Sequence, residues 1–148
     1  MVAKTLTAAN AVLQISVAGL YTVPQQIQGF ANDEAFNFDD VDTAETVMGV
    51  DGILSTGWIP KELVQTIVLQ ADSDSVQLFE DWYAAQQQAR ENLIASGTVI
   101  YPSVQRQYNM VRGTLRGYSP TPGAKRILQP RKFSIVWNYV EPAAYLGF

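Results

Sequence analysis

The chain contains no cysteine and no histidine. Without thiols there are no disulfides, thiolate zinc sites or cysteine nucleophiles. Without imidazoles the usual general base, the commonest metal ligand and Ser-His-Asp triads are lost as well. Charge is scarce too, and none falls between Thr5 and Asn32. That span is still not a membrane helix, which needs about 20 mostly apolar residues. Asn10, Gln14, Ser16, Thr22, Pro24, Gln25, Gln26 and Gln28 interrupt it. Gln14 and Ser16 also break the apolar run that a signal peptide would need behind Lys4. The chain is therefore expected to be soluble and made in the cytoplasm. No glycine-rich phosphate loop, nucleophile elbow, internal repeat or low-complexity segment is present.

What is there fits one domain spanning 1–148. At 148 residues the chain can bury about two-thirds of its unfolded surface, so folding needs no metal or disulfide. A net charge of −4 argues against non-specific nucleic-acid binding as the main task. Arg112 and Arg116 beside Tyr108 and Tyr118 have the composition of a nucleic-acid surface, but the acidic remainder outweighs them.

Helical spacing of Val76, Phe79, Trp82, Tyr83, Ala89, Leu93 and Ile94 predicts one long helix over about 74–96. Asp74 is the expected cap, with Gln77 in the capping-box position, and Gly97 the expected stop. Glu80 and Asp81 fall in the early turns, where the helix dipole favours acids. The aromatic row Phe79 and Trp82 reads as core. Most of the remainder alternates as strands. Leu13, Ile15 and Val17 point one way and Gln14 and Ser16 the other. Pro24 marks an expected break before a second strand, QQIQGFA. LVQTIVLQA, TVIYPSV and QYNMVRGTLRGY follow, and SPTPG reads as a turn. FSIVWNY places Phe133, Ile135, Trp137 and Tyr139 on one face. The fold class is mostly β (α+β), antiparallel, with the helix packed across the sheet.

The segment at about 32–61 lacks sustained periodicity and reads as a long loop or a β-hairpin with its tip near Asp51-Gly52. It holds Asp33, Glu34, Asp39, Asp40, Asp42, Glu45 and Asp51, half of the chain's 14 acids, and no base before Lys61. An EF-hand loop starting at Asp40 fails at its fifth position and lacks the glycine. A carboxylate pair for glycoside hydrolysis needs a separation in space that sequence does not give. A solvated acidic loop is the plain reading. The counterpart is the 103–132 region, where Arg106, Arg112, Arg116, Lys125, Arg126, Arg131 and Lys132 occur without an acid. The two blocks either face each other within a subunit or join one copy to the next. The terminal AAYLGF is either a docking tail or a frayed end.

AETVMGVDGILSTGWIP, QTIVLQADSDSVQLFEDWYAAQQQAR and KRILQPRKFSIVW resemble a tail tube protein of a contractile-tailed bacteriophage (myophage). The resemblance covers roughly Gln28 to Val140. It implies an antiparallel β-sandwich or barrel, assembled as homohexameric rings stacked into a tube inside a contractile sheath. It also implies a protruding hairpin or loop that reaches the adjacent ring. DNA would cross the channel without specific binding, on its way into the host. Sheath, baseplate and tape-measure proteins are the implied partners, and the virion tail the implied location. No reaction, cofactor or metal is implied. On this reading Asp33, Glu34, Asp39, Asp40, Asp42 and Asp51 meet the basic residues of the 106–132 region on a neighbouring copy. Gln14, Ser16, Gln26 and Gln28 are the expected channel wall. The inner-tube protein of a related contractile injection system, a monomeric β-rich ligand-binding module and a carboxylate-pair hydrolase are the competing expectations.

Overall fold

The structure, a computed structural model, describes residues 11–30 and 35–145. Among these, strands β1 (Val12–Val17), β2 (Tyr21–Gln26), β3 (Phe36–Phe38), β6 (Leu63–Leu69), β7 (Ala95–Tyr101), β8 (Arg106–Tyr118) and β9 (Arg131–Ala144) form one sheet in the order β2-β1-β7-β8-β9-β6-β3. Every pairing in it is antiparallel. Strands β4 (Ala44–Met48) and β5 (Leu54–Trp58) pair only with each other. A helix, α1 (Val76–Ala89), joins β6 to β7.

Alternation decides which face of β1 is inside: Leu13, Ile15 and Val17 are fully buried. The turn after it bends at Gly19, whose φ of +80° favours glycine. Pro24 does not break the chain as expected but lies within β2. Strand β2 is at the edge of the sheet, where a missing N–H costs no ladder bond. The second strand is therefore YTVPQQ, and Ile27 beyond it is buried.

Strands β8 and β9 run together and change their inward face at the same level. Met110 is buried on β8 before the change and Leu115 after it; Phe133, Ile135 and Trp137 are buried on β9, while Tyr139 is exposed and its neighbour Val140 packs on the core. Arg112 marks the place with a left-handed φ of 52°. Next to it the β7–β8 register slips between Ala95 and Gly97. Such a corner lets one pair of strands serve two layers of a sandwich. The sheet stays open, with β2 and β3 as its outer strands. The expectation of a mostly β, antiparallel fold with one helix holds, and closure into a barrel within the subunit does not.

The helix is shorter than its pattern suggested. Arg90 adopts φ 57° and ends it, its N–H donating to the Gln86 carbonyl at 2.8 Å. Leu93 and Ile94 fall beyond the helix, and Gly97 lies inside β7 instead of stopping it. The N-cap is Ser75, not Asp74, and its hydroxyl accepts the Gln28 N–H at 2.8 Å. Gln77 reaches forward to Asp81 rather than back to the cap. Phe79 and Trp82 are fully buried, and Phe79 stacks on Phe133 with centroids 4.4 Å apart. Trp82 donates its indole N–H to the Leu93 carbonyl at 3.3 Å.

Candidate assembly surfaces

The acidic segment is a connection with a hairpin on it. Asp33 and Glu34 lie outside the described residues. Asp39, Asp40 and Asp42 are exposed on the link between β3 and β4. Strands β4 and β5 pair in register from Ala44–Trp58 to Met48–Leu54. At the tip, Gly52 takes φ +82° and Asp51 accepts the Ile53 N–H at 3.1 Å. Asp51 therefore has a local job, shaping the turn. All residues of both strands are exposed. Paired residues share a face, so Met48, Leu54 and Trp58 lie together on one side and Glu45 and Val47 on the other. Trp58 is 78% exposed, and Val50 and Ile53 extend the apolar surface over the tip. A two-stranded hairpin is marginal in water by itself, and an apolar surface of this kind marks a contact site.

The sequence had shown the acids of this hairpin more clearly than its apolar character. Each short apolar run looked unremarkable alone. The signal is the register, which brings Trp58, Leu54 and Met48 onto one face.

The basic residues divide. Arg131 is only 4% exposed, so it is not a surface group as expected. Its guanidinium donates to Glu80 at 2.8 Å and to the carbonyls of Ser119 and Pro120, and it lies over the rings of Tyr118 and Phe133. A buried guanidinium needs such a set of acceptors, and here it ties α1 to the start of β9. Arg116 pairs with Glu62 at 3.0 Å on the surface. Arg106, Arg112, Lys125, Arg126 and Lys132 are exposed. Among the described residues the ion pairs use Glu62 and Glu80, and no acid of the 35–52 segment meets a base of the 103–132 region within the chain.

A groove of about 840 Å³ runs under the hairpin base, between Trp58, Ile59 and Pro60 and the corner residues Arg112, Asn138 and Tyr139. A smaller apolar cavity of about 370 Å³ lies between Phe38, Leu63, Val99, Tyr101, Tyr108 and Val140. Burial, then neighbouring Tyr108, pushes the Tyr101 hydroxyl above the usual tyrosine range. The Tyr21 hydroxyl donates to Asp81. That bond first, then burial and the carboxylate charge, raises it to about 12. It links edge strand β2 to α1, a contact no sequence pattern announced.

Gln14 and Ser16 lie on the face of β1 opposite its buried residues. Gln14 stands between Gln26 and Thr98, Thr98 beside Asn109, and Ser16 beside Ser96. The register thus gathers an uncharged polar row across four strands; it includes Gln14, Ser16 and Gln26 of the expected channel wall and adds Ser96, Thr98 and Asn109. Gln28 is held elsewhere: its backbone is tied to Ser73 and Ser75 ahead of α1. Among the described residues no group of acids is arranged to hold a metal ion, and no helix is long and apolar enough to cross a membrane.

A family model described as "Tail fiber protein gp32" matches residues 4–141. No curated protein matches the chain. Several solved structures share the fold. A chain from the six-fold symmetrised baseplate of the anti-feeding prophage has a TM-score of 0.62 at 5% identity, over 99% of this chain and 100% of that one. A chain from the sheath/tube terminator of an extracellular contractile injection system in its extended state gives 0.59 at 11% identity, over 97% and 100%. A chain from the sheath–tube complex of such a system gives 0.52 at 12% identity, over 89% and 88%.

Proposed function

The chain belongs to the tail fiber protein gp32 family, and from that premise we propose that it is the inner-tube subunit of a contractile tail. Copies form hexameric rings that stack into a hollow tube within a sheath, and DNA leaves the particle through the tube. The observation that carries this reading is the β4–β5 hairpin, exposed along both strands, with Met48, Leu54 and Trp58 on one face and Val50 and Ile53 at the tip open to solvent. It is built to be covered by another chain. Edges at β2 and β3 that are open among the described residues add a second means of joining copies, because unpaired edge strands invite pairing. The polar, uncharged row around Gln14 and Thr98 suits a conduit, since a wall that bound phosphates would hold DNA back. Baseplate, sheath and tape-measure proteins are the further partners, and the subunit performs no reaction.

The assemblies named for the fold neighbours favour one second reading, the tube of a related injection system. The family's name favours another, a fibre. Electron microscopy of the purified protein at high concentration and low salt, beside a size-exclusion trace, separates a tube of either kind from a fibre. Rings or hollow tubes are expected. Solid fibres would select the fibre reading. A monomer under every condition, even with tail baseplates added, would overturn assembly and leave a binding module.

A further inference from the structure

Resting on that tube reading, we propose that the loop 123–129 of one copy is the receptor for the β4–β5 hairpin tip of the next. This loop is a shaped element. Gln129 donates its N–H to the Gly123 carbonyl at 2.8 Å, Ala124 bridges to Leu128, and the Gln129 side chain holds the Ile127 carbonyl at 3.1 Å. Yet it presents Ile127 and Leu128 to solvent, 72% and 58% exposed. A surface groove of about 670 Å³ runs beside it, lined by these residues with Lys125, Arg126, Gln70 and Pro130, and with Asp72 as the single acid on its wall.

The two protrusions are complementary in the two properties that matter. Each holds aliphatic side chains that are more than half exposed: Val50, Ile53 and Leu54 on the hairpin, Ile127 and Leu128 on the loop. The hairpin and its approach carry Asp39, Asp40, Asp42, Glu45 and Asp51 and no base; the loop carries Lys125 and Arg126 and no acid. Neither Lys125 nor Arg126 is ion-paired among the described residues, whereas Arg131 a few positions on is turned inward and paired. Lys132 is exposed but is followed by the buried Phe133, and Arg112 lies in the groove under its own chain's Trp58. Among the described residues of the 103–132 region, the loop 123–129 sets two unpaired positive charges directly beside its two most exposed aliphatic side chains. Opposite charge at the rim with apolar contact at the centre gives steering and register together. Two different surfaces of one chain that fit each other make a heterologous contact, which repeats.

The chain has no cysteine, so every disulfide in an engineered variant is the intended one. Ile53→Cys and Ile127→Cys are combined in one chain and oxidised under assembly conditions. A ladder of covalent multimers on a non-reducing gel is expected, against at most dimers for either single variant. A second variant, Lys125→Glu with Arg126→Glu, should raise the concentration needed for assembly at low salt at least tenfold. Adding Glu45→Lys should restore part of it. Tubes that form normally with neither a ladder nor a charge effect would overturn the loop assignment and leave the tube reading standing. A cross-link closed within one chain would also overturn it. Wild-type protein that never assembles would sink both.

Discussion

Trp137 lies across two glycines, and the contact shows how little room the core leaves at single positions. A Cβ at Gly113 would come within 2.5 Å of the indole, and one at Gly97 within 2.7 Å of Met110 and 3.2 Å of the same ring. The indole N–H is fixed on Gln65 at 3.0 Å, so the ring cannot slide away. Gly113→Ala should therefore destabilise the fold by about 1–3 kcal/mol, read as a lowered midpoint in chemical denaturation with unchanged slope. Tyr21 supports a different test. Its folded-state value near 12 lies above the ordinary 10.0. The stability it contributes is thus complete below pH 10 and is lost as pH rises towards 12. Thermal melts of Tyr21→Phe should lose less stability than wild type between pH 10 and 12. Parallel losses would show that the bond to Asp81 contributes nothing in solution.

At the scale of elements, most of the fold was legible where alternation is strict. Strand β1 follows its pattern residue by residue, because one face is fully buried and a slip would turn every side chain over. Replacing Ile15 by proline there removes a ladder donor and a buried side chain between two paired neighbours. The lost side chain alone costs about 2–5 kcal/mol, so soluble yield and any self-assembly should both fall. The helix was legible in its core, Phe79 and Trp82, but not at its ends. Arg90 in a left-handed conformation is a stop that no residue preference announces, and Ser75 at the N-cap spends its hydroxyl on the Gln28 N–H instead of on the helix. The corner at Arg112 was invisible for the same reason: β8 reads as one long strand until its neighbours show that its faces exchange. The hairpin was placed by its turn residues, but its apolar surface became visible only through register.

For the whole molecule, the separated charges had left two arrangements open. Within the described residues the subunit does not bring its acidic segment onto its basic one, which leaves five described acids, Asp39, Asp40, Asp42, Glu45 and Asp51, facing outward or spent on the turn. If they meet a neighbour, assembly should weaken as salt shortens the screening length from about 10 Å at 0.1 M to about 3 Å at 1 M. Asp39→Asn with Asp40→Asn should mimic part of that loss at low salt. Assembly size by microscopy and sedimentation would read both, and insensitivity to both would refute electrostatic joining.

The bare hairpin also makes the free chain an incomplete thermodynamic unit. Whatever a neighbour adds is a mass-action term, about 2.7 kcal/mol when the partner is present at 100 times its dissociation constant. Fold strength in β4–β5 then depends on how many copies are nearby, not only on the sequence. Proteases will read the difference. Lone subunits should be nicked first within Gly49–Ile53, and subunits inside a particle should be spared, so that unused copies are cleared while finished ones persist.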